Sequence, residues 1–156
     1  MDHPRFQYDL RHCALARALG VVGEKWGLLV VREAYYGLRR FDDFARALGC
    51  GRGVLSARLK TLTAEGVLER RTYLEPGRRP REEYRLTDKG RDLFPAVLAL
   101  MQWSERWMPP SEGPVAHVVS RKARAPVRIV MTTDATASSL TMRDVEILPG
   151  PGARRV

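Results

Sequence analysis

The 156-residue chain is short of the side chains from which catalytic and metal centres are built. It holds two cysteines, Cys13 and Cys50, and three histidines, His3, His12 and His117. Two cysteines do not make a disulfide framework, and no histidine is spaced to pair with an acid or a nucleophile. There is no phosphate-cradling glycine loop and no metal-ligand cluster, so neither an enzyme nor a cofactor nor a metal is expected. No apolar run approaches the roughly 20 residues that span a bilayer. The opening MDHPRFQYDLRH lacks the apolar core of a signal peptide. A reducing cytoplasm is therefore the expected compartment. Acidic residues are also scarce: 18 Asp and Glu face 27 Lys and Arg, leaving a net charge of +9. Such a balance suits a polyanionic partner, nucleic acid being the commonest, and nucleoid association follows from it. No helix pattern is apolar on one face and lysine-rich on the other, so a membrane surface is not expected as a partner.

What is present centres on Phe41 to Arg71. Phe41, Phe44, Ala45 and Leu48 form the apolar stripe of a short amphipathic helix. Gly49-Cys50-Gly51 breaks it with a turn, and Leu55, Leu59 and Leu62 restart the periodicity until Gly66 supplies a left-handed cap. The face of the second helix away from its leucines carries Arg52, Gly53, Ser56, Ala57 and Lys60, with no carboxylate until Glu65. Two readings fit this stretch: a helix-turn-helix that binds DNA, or an αα-hairpin with a solvated basic face. Between Arg39 and Arg91 there are 14 Lys and Arg against 8 Asp and Glu, so most of the excess charge gathers around this motif.

Before the motif, Met1 to His12 reads as a loose polar arm. Leu15, Leu19 and Val22 mark a helix from Cys13 to Gly23, and Lys25 to Tyr36 is apolar nearly all round, as in a buried helix. After it, Val67 to Leu74 reads as a strand, residues 75–81 as a basic loop, and Tyr84 and Leu86 as a return strand. This hairpin with an arginine-rich tip favours the DNA-binding reading. Thr87 caps a helix expected to run to about Met108, kinked at Pro95. Its surplus of apolar side chains, Trp103 and Trp107 included, is explained by core packing or by a homodimer interface, and the second is preferred. From Ser111 the composition turns to Gly, Pro, Ser and Thr. Val127 to Thr132 and Val145 to Leu148 are candidate strands, and Gly150 to Val156 a frayed tail. The expected organisation is an arm (1–12), a winged helix-turn-helix DNA-binding and dimerisation domain (13–110), a small β-rich appendage (111–149) and a tail (150–156). The fold class is mainly α with a small β wing.

These residues resemble the HxlR-type winged helix-turn-helix transcriptional regulators. The resemblance is carried by Cys13 with LARALGVVGEKW (15–26), GLRRFDDF (37–44), LSARLKTL (55–62), EGVLERR (65–71) and EYRLTDKG (83–90), followed by Leu93 and Pro95. It implies a homodimer built through the first and last helices, a recognition helix at about Arg52 to Ala64 and a wing at Glu75 to Glu82. It also places Cys13 where some relatives carry a cysteine that senses oxidants or electrophiles, so an electrophile is a candidate effector. DVEILPGPGA (144–153) is similar to an extension that in some members holds paired cysteines able to bind zinc. Here those cysteines are missing and His117 alone does not make a site, so a metal-free version is expected.

The expected function is that of a sequence-specific regulator of double-stranded DNA, acting as a homodimer on half-sites about 34 Å apart or a multiple of that. Arg52, Ser56 and Lys60, one helical turn apart, are the candidates for the major groove. Arg58, nearer the core edge, is a phosphate contact or a structural partner. Arg78, Arg79 and Arg81 are candidates for the backbone or the minor groove, and Arg40 for a phosphate at a helix start. Cys13 is the candidate thiol switch, against a structural reading as a small buried residue. Cys50 is read as a bystander. A small-molecule effector beside Trp103 and Trp107 is the other candidate control. The rival function is a winged-helix protein–protein adaptor without specific DNA readout.

Overall fold

A computed structural model describes residues 9–74, 77, 79–133 and 139–153. Two compact units divide the chain between Gly90 and Arg91. The longest helix is thus grouped with the C-terminal strands, whereas the sequence places the divide at 110.

In the first unit, four helices lead into a β-hairpin: α1 (Ala14–Val22), α2 (Lys25–Tyr35), α3 (Phe41–Leu48), α4 (Arg52–Ala64), β1 (Leu68–Tyr73) and β2 (Arg81–Leu86). The expected loose arm is partly structured. Leu10–His12 forms a 3-10 turn capped by the Asp9 side chain, whose carboxyl is held below its usual range by hydrogen bonds from Arg11's side chain and backbone. Helix α2 is the centre of the unit, with Val30 and Val31 fully buried. Helix α1 behaves differently, since Leu15 and Leu19 of its apolar stripe remain exposed.

The α3–α4 turn depends on one glycine. Gly49 adopts φ +61°, in the left-handed region, whereas Gly51 keeps φ −59° and begins α4. At the far end of α4, Gly66 at φ +68° reverses the chain into β1. The hairpin pairs in antiparallel register from Leu68 opposite Leu86 to Tyr73 opposite Arg81. Arg81 is therefore the first residue of a strand and not part of the loop, because Tyr73 gives it a cross-strand partner.

The expected single helix from Thr87 is two. Thr87 caps a short α5 (Asp88–Arg91) by accepting from the Gly90 N–H at 3.1 Å, and its hydroxyl donates to the Gly66 carbonyl at 2.6 Å. A new helix, α6 (Phe94–Trp107), then starts with Pro95 in its first turn. Proline has no N–H to donate and its fixed φ suits a helix start, so here it opens a helix instead of kinking one. The TDKG run also has a packing reason. A Cβ added at Gly90 would lie 2.2 Å from the Val67 carbonyl oxygen, and the Gly90 carbonyl accepts from the Tyr35 hydroxyl at 2.7 Å.

In the second unit, α6 is accompanied by the antiparallel pair β3 (Ala116–Ser120) and β4 (Val145–Pro149). The expected strand at 145–148 is present. The one at 127–132 is not, and the partner of β4 is β3, which the sequence reading missed. Residues 127–129 belong to no strand, and their hydrogen bonds are divided between two elements. Val127 donates to the Val118 carbonyl, while the Gln102 side-chain amide donates to the Val127 carbonyl and accepts from the Ile129 N–H. One glutamine on α6 thus replaces a neighbouring strand. The start of the supposed tail is ordered as well. Gly150 and Gly152 donate to the carbonyls of Val115 and Pro114, an approach that a side chain at either glycine would block. A turn at Met142–Asp144 carries a capping box. Its Asp144 carboxyl lies below the usual range because the Thr141 hydroxyl and backbone N–H donate to it.

Candidate nucleic-acid interface

Helix α4 has a sharply divided surface. Leu55, Leu59 and Leu62 are fully buried beside Phe44 of α3, which anchors the helix by its inner side. Arg52, Gly53, Ser56, Ala57 and Lys60 are all exposed on the outer side. The sequence reading of this helix and of its two faces corresponds to the structure closely.

The cations of the outer surface are arranged in ways that the sequence does not announce. Arg52, at the start of α4, donates from Nη1 to Asp42 Oδ1 at 2.9 Å, and its guanidinium lies 4.6 Å from the Phe41 ring centre. Arg58 turns away from this side and stands 3.4 Å from Glu24 Oε2, so α4 is tied to the loop before α2. Lys60 has no ion-pair partner among the described residues. Arg40 precedes α3 and stacks 4.9 Å from the ring of Tyr73 on β1. The neighbouring Arg39 carbonyl accepts from the Tyr84 N–H of β2 at 2.7 Å, fastening the hairpin to the entry of α3.

The hairpin keeps its strand charges balanced. Arg70 pairs with Glu82 at 3.0 Å, Arg71 with Glu69 at 2.7 Å, and Arg85 with Glu83. Arg79 and Arg81 are exposed and have no such pairing among the described residues. The surplus charge therefore sits towards the tip. Arg78, with Glu75 and Pro76, lies outside the described residues. Sequence reasoning missed Phe41, Asp42, Tyr73 and Glu24 as neighbours of the basic side chains. Ten residues separate Asp42 from Arg52, and only the turn geometry brings them together.

The remaining candidates lie apart from α4. Cys13 is the half-buried residue that precedes α1, Cys50 is half-buried in the α3–α4 turn, and neither is in a disulfide. Trp103 and Trp107 are exposed on α6, beside an open cleft of about 740 Å³ within the second unit. Gln102, Val118 and Ile129 contribute to its walls. His117 is exposed on β3 opposite Leu148. Among the described residues no three His, Cys, Asp or Glu side chains converge. No helix of the described residues is long and apolar enough to cross a membrane.

The order of two helices, a tight turn, a basic outer surface and a two-stranded wing is matched by a family model. The model describes the HxlR-like helix-turn-helix and covers residues 21–112. The chain belongs to this family. An HTH-type transcriptional regulator of Mycobacterium tuberculosis strain H37Rv is 42% identical over 141 residues, which are 89% of this chain and 87% of the relative. The HTH-type regulator YvaP of Bacillus subtilis is 38% identical over 96 residues, 61% of this chain and 87% of that protein. Among solved structures, PA1607, a candidate transcription factor, has a TM-score of 0.70 and 36% identity over 85% of this chain and 92% of its own. The redox regulator HypR in its oxidised form has a TM-score of 0.55 and 33% identity, covering 60% of this chain and 96% of its own. The HxlR-like chain is thus a winged helix-turn-helix DNA-binding regulator of transcription, from a family of regulators and not of enzymes.

Proposed function

We propose that this HxlR-like regulator acts as a homodimer that recognises a defined operator sequence, with α4 lying in the major groove of each half-site. The observation that carries the reading is the division of α4, three leucines withdrawn from water and a small, basic, carboxylate-free surface opposite them. Arg52, Ser56 and Lys60 contact base edges, Arg40 contacts phosphate, and Arg79 and Arg81 with Arg78 follow the backbone or the minor groove. Arg58 serves as a structural partner of Glu24. Exposed apolar residues on α1 and α6 support self-association through these helices. The operator is found by selection from randomised duplex DNA with the full chain. A selected motif, bound with an affinity that falls steeply between ~50 and ~200 mM salt, supports the reading. A chain that enriches no sequence acts as an adaptor instead.

Two controls are proposed with it. Cys13 stands at a helix start, where backbone amides favour a thiolate, and the similar HypR is a redox regulator. Diamide treatment should then release DNA from the wild type and not from Cys13→Ser. The cleft beside Trp103 and Trp107 is the place for a small-molecule effector. The cytoplasm, with the nucleoid, is the proposed location.

A further inference from the structure

We propose that Asp42 is a specificity-determining residue, and that with Arg52 it reads one G·C base pair in each half-site. The inference rests on the placement of α4 in the major groove proposed above, and goes beyond it by adding a residue of α3 to the reading surface. A carboxylate on a surface otherwise selected for positive charge calls for a reason, since it opposes the phosphates. The geometry supplies one. Asp42 and Arg52 are both well exposed, and their pair is monodentate, Nη1 to Oδ1 at 2.9 Å. The remaining donors of the guanidinium and the second carboxylate oxygen have no partner among the described residues. The Phe41 ring, 4.6 Å from the guanidinium, supports it from behind.

A G·C pair presents the complementary set along its major-groove edge. Guanine offers O6 and N7 as two acceptors, and the adjacent cytosine N4 offers a donor. The free fork of Arg52 suits the first, and the open oxygen of Asp42 suits the second. Any other base pair leaves at least one of the two mismatched. An A·T pair puts a donor where Arg52 needs an acceptor, and a reversed C·G pair exchanges the two partners. The ion pair also restricts a long, flexible side chain before DNA arrives, which lowers the ordering cost of the contact. Asp42 thereby acts twice, as an acceptor for cytosine and as the group that aims Arg52.

The test uses the full chain as wild type, D42A, D42E and R52A. Each is passed through selection from randomised duplex DNA, then titrated against duplexes carrying all four base pairs at each position of the wild-type motif. Circular dichroism melting checks that each variant folds, and D42S takes the place of D42A should the latter not fold. D42A and R52A should relax the same G·C position, with discrimination there falling on the order of tenfold. D42E should recover part of it, and all other positions should keep their preferences. The proposal is overturned if D42A tightens binding evenly on every duplex, which would make Asp42 a repulsive charge only. It is equally overturned if D42A relaxes no position, a position other than that of R52A, or an A·T pair. These outcomes leave the DNA-binding reading standing, whereas a wild type that selects no motif removes both.

Discussion

Helices α4 and α6 are of nearly the same length, 13 and 14 residues, and their outer surfaces are opposites. Helix α4 withdraws its leucines completely and shows water a polar, basic surface. Helix α6 buries Phe94, Val97 and Leu98 but leaves Leu100, Trp103 and Trp107 exposed, as is Met108 just after it. The first surface is at home in water and gains from a dense polyanion by releasing counterions. The second gains from losing water, at about 25 cal/mol for each Å² of apolar area covered. What lies outside a helix, and not how much it buries, separates the helix proposed to meet nucleic acid from the one proposed to meet a second copy.

The comparison can be broken most forcefully at the inner side of α4. Leu59→Ala removes a side chain with no exposure and should cost about 2–5 kcal/mol in denaturant unfolding, with DNA binding lost through the fold. Gly90→Ala forces a Cβ against the Val67 carbonyl and should destabilise by ~1–3 kcal/mol in the same measurement. On α6, Trp103→Glu should leave secondary structure intact and shift sedimentation from dimer towards monomer, since a charge replaces an apolar contact. An unchanged sedimentation coefficient would assign that apolar surface to something other than a second copy. On the outer side of α4, Lys60→Ala should leave the melting temperature unchanged. As the base contact proposed above, it should lose affinity unequally across sequences; a uniform loss, with the salt slope falling by about 1, would make it a phosphate contact. The smallest effect belongs to Arg58→Ala. Its pairing with a largely exposed Glu24 contributes about 0–1 kcal/mol to stability, and sequence preference should not change.

The helix-turn-helix segment was legible in the sequence because its signals are local. Leucines at helical spacing, Gly49 and Gly66 at the ends, and the hairpin after them each depend on neighbours within a few residues. Thr87 as a cap was legible for the same reason. The C-terminal unit was not. VRIVMT has the composition of a strand, yet Gln102 takes up the Val127 carbonyl and the Ile129 N–H, a substitution that depends on a residue 25 positions away from Val127. β3 was hidden because its partner β4 follows after a long, non-periodic stretch, and short apolar runs carry no register of their own. Pro95 was misplaced because a proline two turns into a helix and one in the first turn of the next look alike until the break at residues 92–93 is seen. At the candidate interface, charge was legible and pairing was not. Composition shows which arginines exist, but only the folded turn decides that Arg52 meets Asp42 while Arg58 meets Glu24.

The single backbone bond from Tyr84 to the Arg39 carbonyl has a mechanical consequence. It makes the finger and the threshold of α3 one lever, further clamped by the stacking of Arg40 on Tyr73. Arg40 and the cations of the finger, both proposed DNA contacts, are thereby held on one support. On the proposed reading, a disturbance of the short link after α2 reaches both contacts at once.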